Sequence, residues 1–397
     1  MKMKSPVLYL VSLIFLLSCE VEISKEQAAT FIKFYGNYLN DSGADVVITD
    51  DGGYAIAGTS VTENAVTGMV LLVTDEYGNL LPRFPRYYSD GRNCGANTIL
   101  KLDDGFLLCG YVMAEEAGGG SHEDIYIVKT DENGRVTWSN TYGGAGNENI
   151  QHAVRGNSGG FVIAGYREIN NKKDYWIFSI SENGTFIREV PQQTVQNTRD
   201  NMAEYLISIP EYGYLCVCTY HEDTYKGSNV FILSVNNDLN TPYNLSLGTD
   251  YNDFGKCIIR GEGNQFYVLG NTENASSGRT ELAVYSIEMN GLKFGSSSVV
   301  ATIQSDSADF IAEDFVLTGT GRLAIIGSDI SDGNYNILLQ FLDQGVPDGR
   351  INFGETGSQV GSKIIVTDDG GLLFVGTNAY EGNSMISLVK TNEEGRL

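Results

Sequence analysis

The sequence predicts an all-β fold, a seven-bladed β-propeller closed by an N-terminal outer strand. Three observations predict it. A short apolar strand ending in glycine recurs along the chain, the turns between such strands recur at matching places, and the repeat is out of phase with the chain ends. The strand instances are Tyr54-Ala-Ile-Ala-Gly58, Phe106-Leu-Leu-Cys-Gly110, Phe161-Val-Ile-Ala-Gly165, Tyr214-Leu-Cys-Val-Cys218, Phe266-Tyr-Val-Leu-Gly270, Leu323-Ala-Ile-Ile-Gly327 and Leu372-Leu-Phe-Val-Gly376. Their last positions lie 49 to 57 residues apart, the period of a four-stranded propeller blade.

Each repeat reads as four strands. In the third, the strands are expected over 149–155, 161–166, 174–179 and 185–190. Asp50-Asp-Gly-Gly53, Asp103-Asp-Gly105 and Asp368-Asp-Gly-Gly371 follow first strands, and Asp75-Glu-Tyr-Gly78, Asp131-Glu-Asn-Gly134 and Asn392-Glu-Glu-Gly395 follow third strands. Glycine and Asn/Asp supply the positive φ that tight hairpins need. An aromatic or aliphatic outer strand ending in glycine precedes the next first strand by a fixed offset. Gly143 to His152, Gly248 to Cys257 and Gly354 to Lys363 are each nine residues, and so is Gly36 to Asp45. Residues 30–36 therefore read as an outer strand with no blade of their own, while the seventh repeat stops after its third strand. Pairing the two would close the ring and remove free edges.

The N-terminus reads differently. A basic start, Met1-Lys-Met-Lys4, precedes an apolar run from Val7 to Leu17 that is too short to span a bilayer as a helix, as in a secretory signal. Leu16-Leu17-Ser18-Cys19 resembles a bacterial lipobox, which implies cleavage before Cys19 and diacylation of its thiol. An ordinary secretory signal that happens to hold a cysteine is the alternative. Lipidation at Cys19 would give residues 1–18 as signal, 19–29 as tether and 30–397 as propeller, anchored to the outer membrane. Glu20 and Glu22 faintly resemble acidic surface-export signals. Fifty acidic against 26 basic residues, a net charge of −24, exclude nucleic acid as a partner. Beyond Cys19, the cysteines are Cys94, Cys109, Cys216, Cys218 and Cys257; they lack a zinc-like pairing and read as buried core.

The Asp-Gly-Gly-aromatic turns, Lys129-Thr-Asp-x-Asn-Gly134 and Trp138-x-x-x-Tyr-Gly-Gly144 together resemble the repeat of lipid-anchored Bacteroidetes propellers, kelch-like in architecture. The resemblance covers residues 30–397 and is weaker in repeats four to six, where Cys218 replaces glycine and Asn237-Asp-Leu-Asn240 replaces the usual turn. It implies no particular reaction, so it assigns no catalytic residues.

Candidate function falls on the one column that does not repeat. Two positions before an aliphatic column (Val47, Ile99, Val154, Ile207, Ile259, Val316, Ile365), the first strands read Asp45, Asn97, His152, Tyr205, Cys257, Asp314 and Lys363. The aliphatic column reads as blade-to-blade core; the polar one should ring the mouth of the central channel as a ligand site. His152 with Asp45 or Asp314 has the groups for acid/base work, but no clustered histidine motif accompanies it. No nucleotide-binding glycine loop and no G-x-S-x-G elbow is present, so no cofactor, metal or catalytic set is expected. The variable connections between second and third strands, the longest over 112–123, suit binding surfaces, with Tyr220, Tyr225 and Tyr380 in or beside them. The leading expectation is a non-catalytic envelope lipoprotein that binds a protein or glycan. The alternative is a polysaccharide-acting hydrolase or lyase using Asp45, His152 or Asp314.

Overall fold

The computed structural model describes residues 30–397 except 38, 63–64, 116–118, 192–199, 222–226, 241–242, 305–308, 332 and 355. The expected signal, Cys19 and the tether lie outside the described residues, as does Tyr225. The described chain is built of seven separate four-stranded antiparallel sheets. Their inner strands are Ser42–Ile48, Cys94–Leu102, Glu148–Arg155, Met202–Ile209, Asp253–Arg260, Asp309–Leu317 and Ser358–Val366. In six blades the chain runs outward through a second, third and outer strand before crossing to the next inner strand. The seventh blade takes its outer strand from the N-terminus.

That closing strand is Phe31–Tyr35, which pairs antiparallel with Asn383–Thr391, Phe31 opposite Lys390 and Tyr35 opposite Ile386. Its side chains also reach the first blade. The Phe31 ring lies 6.3 Å from that of Tyr54, and the Tyr35 hydroxyl donates to the Gly78 carbonyl at 2.6 Å. The expected closure is what the chain adopts, and the seam is as apolar as any other interface: Val46, Tyr54 and Ile56 pack on Leu373, Val375 and Leu388.

The core is distributed between blades rather than gathered at a centre. One layer, for example, joins Leu215, Val217 and Ile232 of the fourth blade to Ile258, Val268 and Tyr285 of the fifth. Each fully buried Val, Leu or Ile contributes roughly 1.5–3 kcal/mol, so every blade is held chiefly by its neighbours.

The aliphatic column predicted as core is only partly buried. The fully buried column lies one residue earlier in six blades: Val46, Ala153, Leu206, Ile258, Phe315 and Ile364, joined in the second blade by Ile99. The cause is a β-bulge in every inner strand. Register shifts fall between Gly43 and Asp45, Ala96 and Thr98, Ile150 and His152, Ala203 and Tyr205, Gly255 and Cys257, Ala312 and Asp314, and Gly361 and Lys363. A bulge adds one unpaired residue and re-aims its side chain.

The recurring strand-end glycine answers to this bulge. Gly110 lies opposite Ala96, the residue before the bulge. A Cβ on Gly110 would come within 1.9 Å of the Gly95 carbonyl oxygen, a distance no side chain survives. Gly58, Gly165, Gly327 and Gly376 face the same crowding. Small residues before the bulge (Gly43, Ala96, Ala203, Gly255, Ala312, Gly361) complete the close approach.

The turn after the third strand is also one device with variable parts. Asp75, Asp131, Asn236 and Asn392 each accept backbone N–H groups two and four residues on, the Asx-turn pattern. The divergent Asn237–Asn240 segment keeps that geometry. Leu239 occupies the left-handed position at φ 58°, where Gly78, Gly134 and Gly395 stand in other blades, and its side chain is buried in the core.

The expected long connection over 112–123 is mostly strand. Gly105–Glu115 and Ser121–Asp131 stay paired out to Glu115 opposite Ser121, so its described strands continue as a paired ladder.

Candidate binding site at the channel mouth

The seven bulges lie near the start of the inner strands and face the axis. Together they shape a cavity of about 160 Å³ at one end of the channel. Its lining alternates two columns. At the bulge stand Ala44, Asn97, Gln151, Glu204, Lys256, Glu313 and Ser362; immediately after it come Asp45, Thr98, His152, Tyr205, Asp314 and Lys363, with Cys257 in the same register. In six of seven blades the predicted residue stands in this register, Cys257 doing so without lining the cavity. Asn97 is the correction: it is the bulged residue of the second blade, and Thr98 holds the ring position. In that blade Ile99 and Leu100 are both aliphatic, so an alignment on the aliphatic residue slips by one. Sequence reasoning also missed the bulge column as lining. The signal that identifies it is the small residue just before the bulge in six of the seven blades, Ile150 being the exception.

Much of the ring is occupied in joining blades. Asp45 is 5% exposed. One of its carboxylate oxygens accepts from the Thr98 hydroxyl at 2.7 Å and the Ile99 N–H at 2.9 Å, across the interface; the other accepts from the Val46 N–H at 2.8 Å. Asp314 repeats the reach, accepting the Ile364 N–H of the seventh blade at 3.0 Å. The Phe315 backbone likewise favours the charged form of Cys257, whereas the Leu206 backbone favours the protonated form of His152, opposing the effect of burial. Asn97, displaced by the bulge, donates instead to Asn149 at 2.7 Å and to the Ile150 carbonyl at 2.6 Å.

Each of the two lysines in the lining has a carboxylate beside it. The Lys363 ammonium lies 3.2 Å from Asp314, donates to the Tyr205 hydroxyl at 2.7 Å and sits 4.6 Å from the centre of the Tyr205 ring. Burial alone would lower its pKa, but Asp314, Tyr205 and Asp45 together hold it well above the usual lysine value. Burial raises the Asp45 carboxyl, with Lys363 and three hydrogen bonds opposing. The His152 ring stacks on Tyr205 at 3.8 Å. Burial, and next the Lys363 charge, push its pKa down to about 3. His152 is thus neutral, and its Nδ1 is buried without a hydrogen-bond partner among the described residues. In the bulge column Lys256 pairs with Glu313 at 2.8 Å, and burial raises the neighbouring Glu204.

The arrangement joins blades, keeps His152 neutral and balances two lysines against acids. At about 160 Å³ the cavity is below the roughly 300–1,000 Å³ typical of small-molecule sites. Among the described residues, no three His, Cys, Asp or Glu side chains are placed to hold a metal ion. Cys94, Cys109, Cys216, Cys218 and Cys257 are free and buried, and the Cys216 and Cys218 sulfurs lie 3.8 Å apart on one face of their strand.

The same end of the propeller carries the hairpins between second and third strands and the crossings from outer to inner strands. Tyr251, Tyr335 and Tyr380 stand there at 43%, 36% and 53% exposure, on three consecutive parts of the ring. Tyr220, also at this end, stacks on Phe231 at 5.0 Å. Beside Tyr251 lies a recess of about 650 Å³ lined by Asn229, Ser246, Leu247, Gly248, Thr249 and Asp250.

No protein-family model matches the sequence, and no curated protein matches it. Solved structures do. A protein of unknown function from Dyadobacter fermentans DSM 18053 is 13% identical, covers 90% of this chain and 98% of its own, and superposes with a TM-score of 0.50. A puromycin hydrolase is 10% identical over 89% of this chain and 53% of its own, with a TM-score of 0.51. The β-propeller domain of the Trilobed protease from Pyrococcus furiosus is 12% identical over 90% of this chain and 96% of its own, with a TM-score of 0.49. At such identities the likeness concerns the fold alone.

Proposed function

We propose that the chain is a cell-envelope lipoprotein, acylated at Cys19, whose propeller is a non-catalytic binding or scaffold module for an envelope protein or glycan. The observation that carries the reading is the contrast between the two parts of the hairpin end. The channel residues are committed to one another, while Tyr251, Tyr335 and Tyr380 are open around them. Tyrosine offers a rigid apolar face and one hydrogen-bonding group at low entropic cost, which suits both sugars and peptides. The polar recess beside Tyr251 adds hydroxyl, amide and carboxylate groups within the size range of ligand sites. The opposing reading, acid/base catalysis by Asp45, His152 or Asp314, needs groups free to exchange protons with a substrate. Asp45 and Asp314 instead accept backbone N–H groups of neighbouring blades.

The test is affinity capture from envelope extracts with the intact protein and with a Tyr251→Ala, Tyr335→Ala, Tyr380→Ala variant of unchanged melting temperature. One stoichiometric protein or glycan, captured by the first and lost with the second, is the expected result. Equal capture by both forms would overturn the assignment to this face. Turnover of envelope polysaccharide that disappears in a His152→Phe protein would overturn the non-catalytic reading.

A further inference from the structure

The closing strand has a direction, and that direction sets where an anchor leaves the propeller. Phe31 pairs with Lys390, near the end of the strand Asn383–Thr391, and Tyr35 pairs with Ile386, nearer its start. The start of that strand adjoins the hairpin end, as does the channel mouth. Its finish, Thr391, leads into the turn Asn392–Gly395 at the opposite end. Thr30 therefore emerges at the turn end, away from Tyr251, Tyr335 and Tyr380.

From Cys19 to Thr30 there are eleven residue steps, a reach of at most about 40 Å for a fully extended chain. The blade is tall on that scale. Asn383–Thr391 alone has nine residues, about 30 Å at 3.3 Å per residue, and the hairpins project beyond it. An anchor could bring the hairpin end to the bilayer only with the tether pulled nearly straight along the blade, at large entropic cost. With the turn end toward the bilayer, no such extension is required.

Resting on the anchoring reading above, we infer that the lipid-anchored propeller stands on its turn end and directs the channel mouth and tyrosine-bearing face away from the membrane. The turn end is also fringed by exposed acids, among them Asp51, Glu76, Asp103, Glu132, Glu262 and Asp368. These oppose flush contact with anionic headgroups within a Debye length of about 8–10 Å, so the propeller stands off the surface. The partner is then a component reached outward from the bilayer, not a lipid of the anchoring leaflet.

The experiment uses the full acylated protein on vesicles that carry an energy-acceptor lipid. One sample bears a donor dye at Glu132→Cys on the turn end, the other at Asn383→Cys on the hairpin end. The native cysteines among the described residues are buried and Cys19 is acylated, so the introduced thiol labels selectively. Vesicle flotation, with Cys19→Ser as control, reads the anchor independently. The expected result is flotation that needs Cys19, with transfer several-fold higher from position 132 than from 383. Flotation with equal transfer, or with the order reversed, keeps the anchor and overturns the orientation. Flotation that does not need Cys19 overturns the anchor and the inference with it.

Discussion

His152 offers the sharpest test of the channel's construction, because its fold-imposed neutrality has a measurable sign. Its pKa is held near 3 in the fold against 6.5 for a free imidazole. Between those values the unfolded chain binds a proton that the folded chain refuses. The neutral ring's contribution is therefore complete above about pH 6.5 and is lost progressively as pH falls toward 3. At about 1.36 kcal/mol per pH unit, lowering pH from about 7.5 to about 5 removes up to about 2 kcal/mol through this group alone. With an unfolding entropy of about 2.1 cal/mol/K per residue, that corresponds to roughly 2–3 °C in melting temperature. Carboxylates titrate in the same window, so the quantity to measure is a difference. His152→Phe keeps an aromatic ring for Tyr205 to stack on and cannot take a proton. Urea denaturation of both proteins at the two pH values should show wild type losing about 2 kcal/mol more than the variant on acidification. Parallel pH dependences would refute the claim that the channel excludes charge from this ring.

Three other perturbations bear on the same architecture. Lys363→Met leaves Asp314 buried beside an apolar chain and should cost about 3–5 kcal/mol in chemical denaturation; a loss below 1 kcal/mol would show that the lysine is not the ring's counter-charge. Leu239→Gly relieves a left-handed backbone at about 1 kcal/mol but deletes a fully buried side chain worth about 2–5 kcal/mol, so calorimetry should find a net loss, and a gain would mean that strain dominates there. Removal of residues 30–36 exposes the edge of Asn383–Thr391 and should unfold or dimerise the protein, as read by light scattering and thermal melts; a monomer of unchanged melting temperature would contradict ring closure by this strand.

The fold was legible because its determinants are local and repeated. A glycine forced by a nearby carbonyl, and an Asx residue capping a turn, recur wherever a blade demands them, and the displaced phase of Phe31 to Gly36 exposed the closure. The polar ring was legible for six of seven blades for the same reason. What periodicity alone missed was the extra residue in each inner strand. A bulge reverses which side chains face the core, so the aliphatic column seemed buried when it is partly open, and Asn97 seemed to hold Thr98's place. The pairings across interfaces were not legible at all. Nothing local to Asp45 announces that it accepts the N–H of Ile99, because that contact depends on how two blades lean together. Aromatic exposure was equally hidden: Tyr54 and Tyr214 are buried while Tyr251 and Tyr380 are not, and only the folded chain separates them.

The seam between the first strand and the last blade also governs when the protein can be finished. The Ser384 hydroxyl donates to the Asp41 carbonyl across 343 residues of chain, and Ser362 reaches Gly43 across 319. Contacts so remote in sequence are slow to form, because loop closure precedes any reward from them. A chain emerging from its N-terminus makes its outermost strand first and has nowhere to put it until the final strand appears. Intermediate blades can mature against one another meanwhile, since each interface is its own small core. The ring is thus an assembly with a last step, and until that step both the strand from Phe31 to Tyr35 and the edge waiting for it are open to the wrong partner, most readily the matching edge of a second copy.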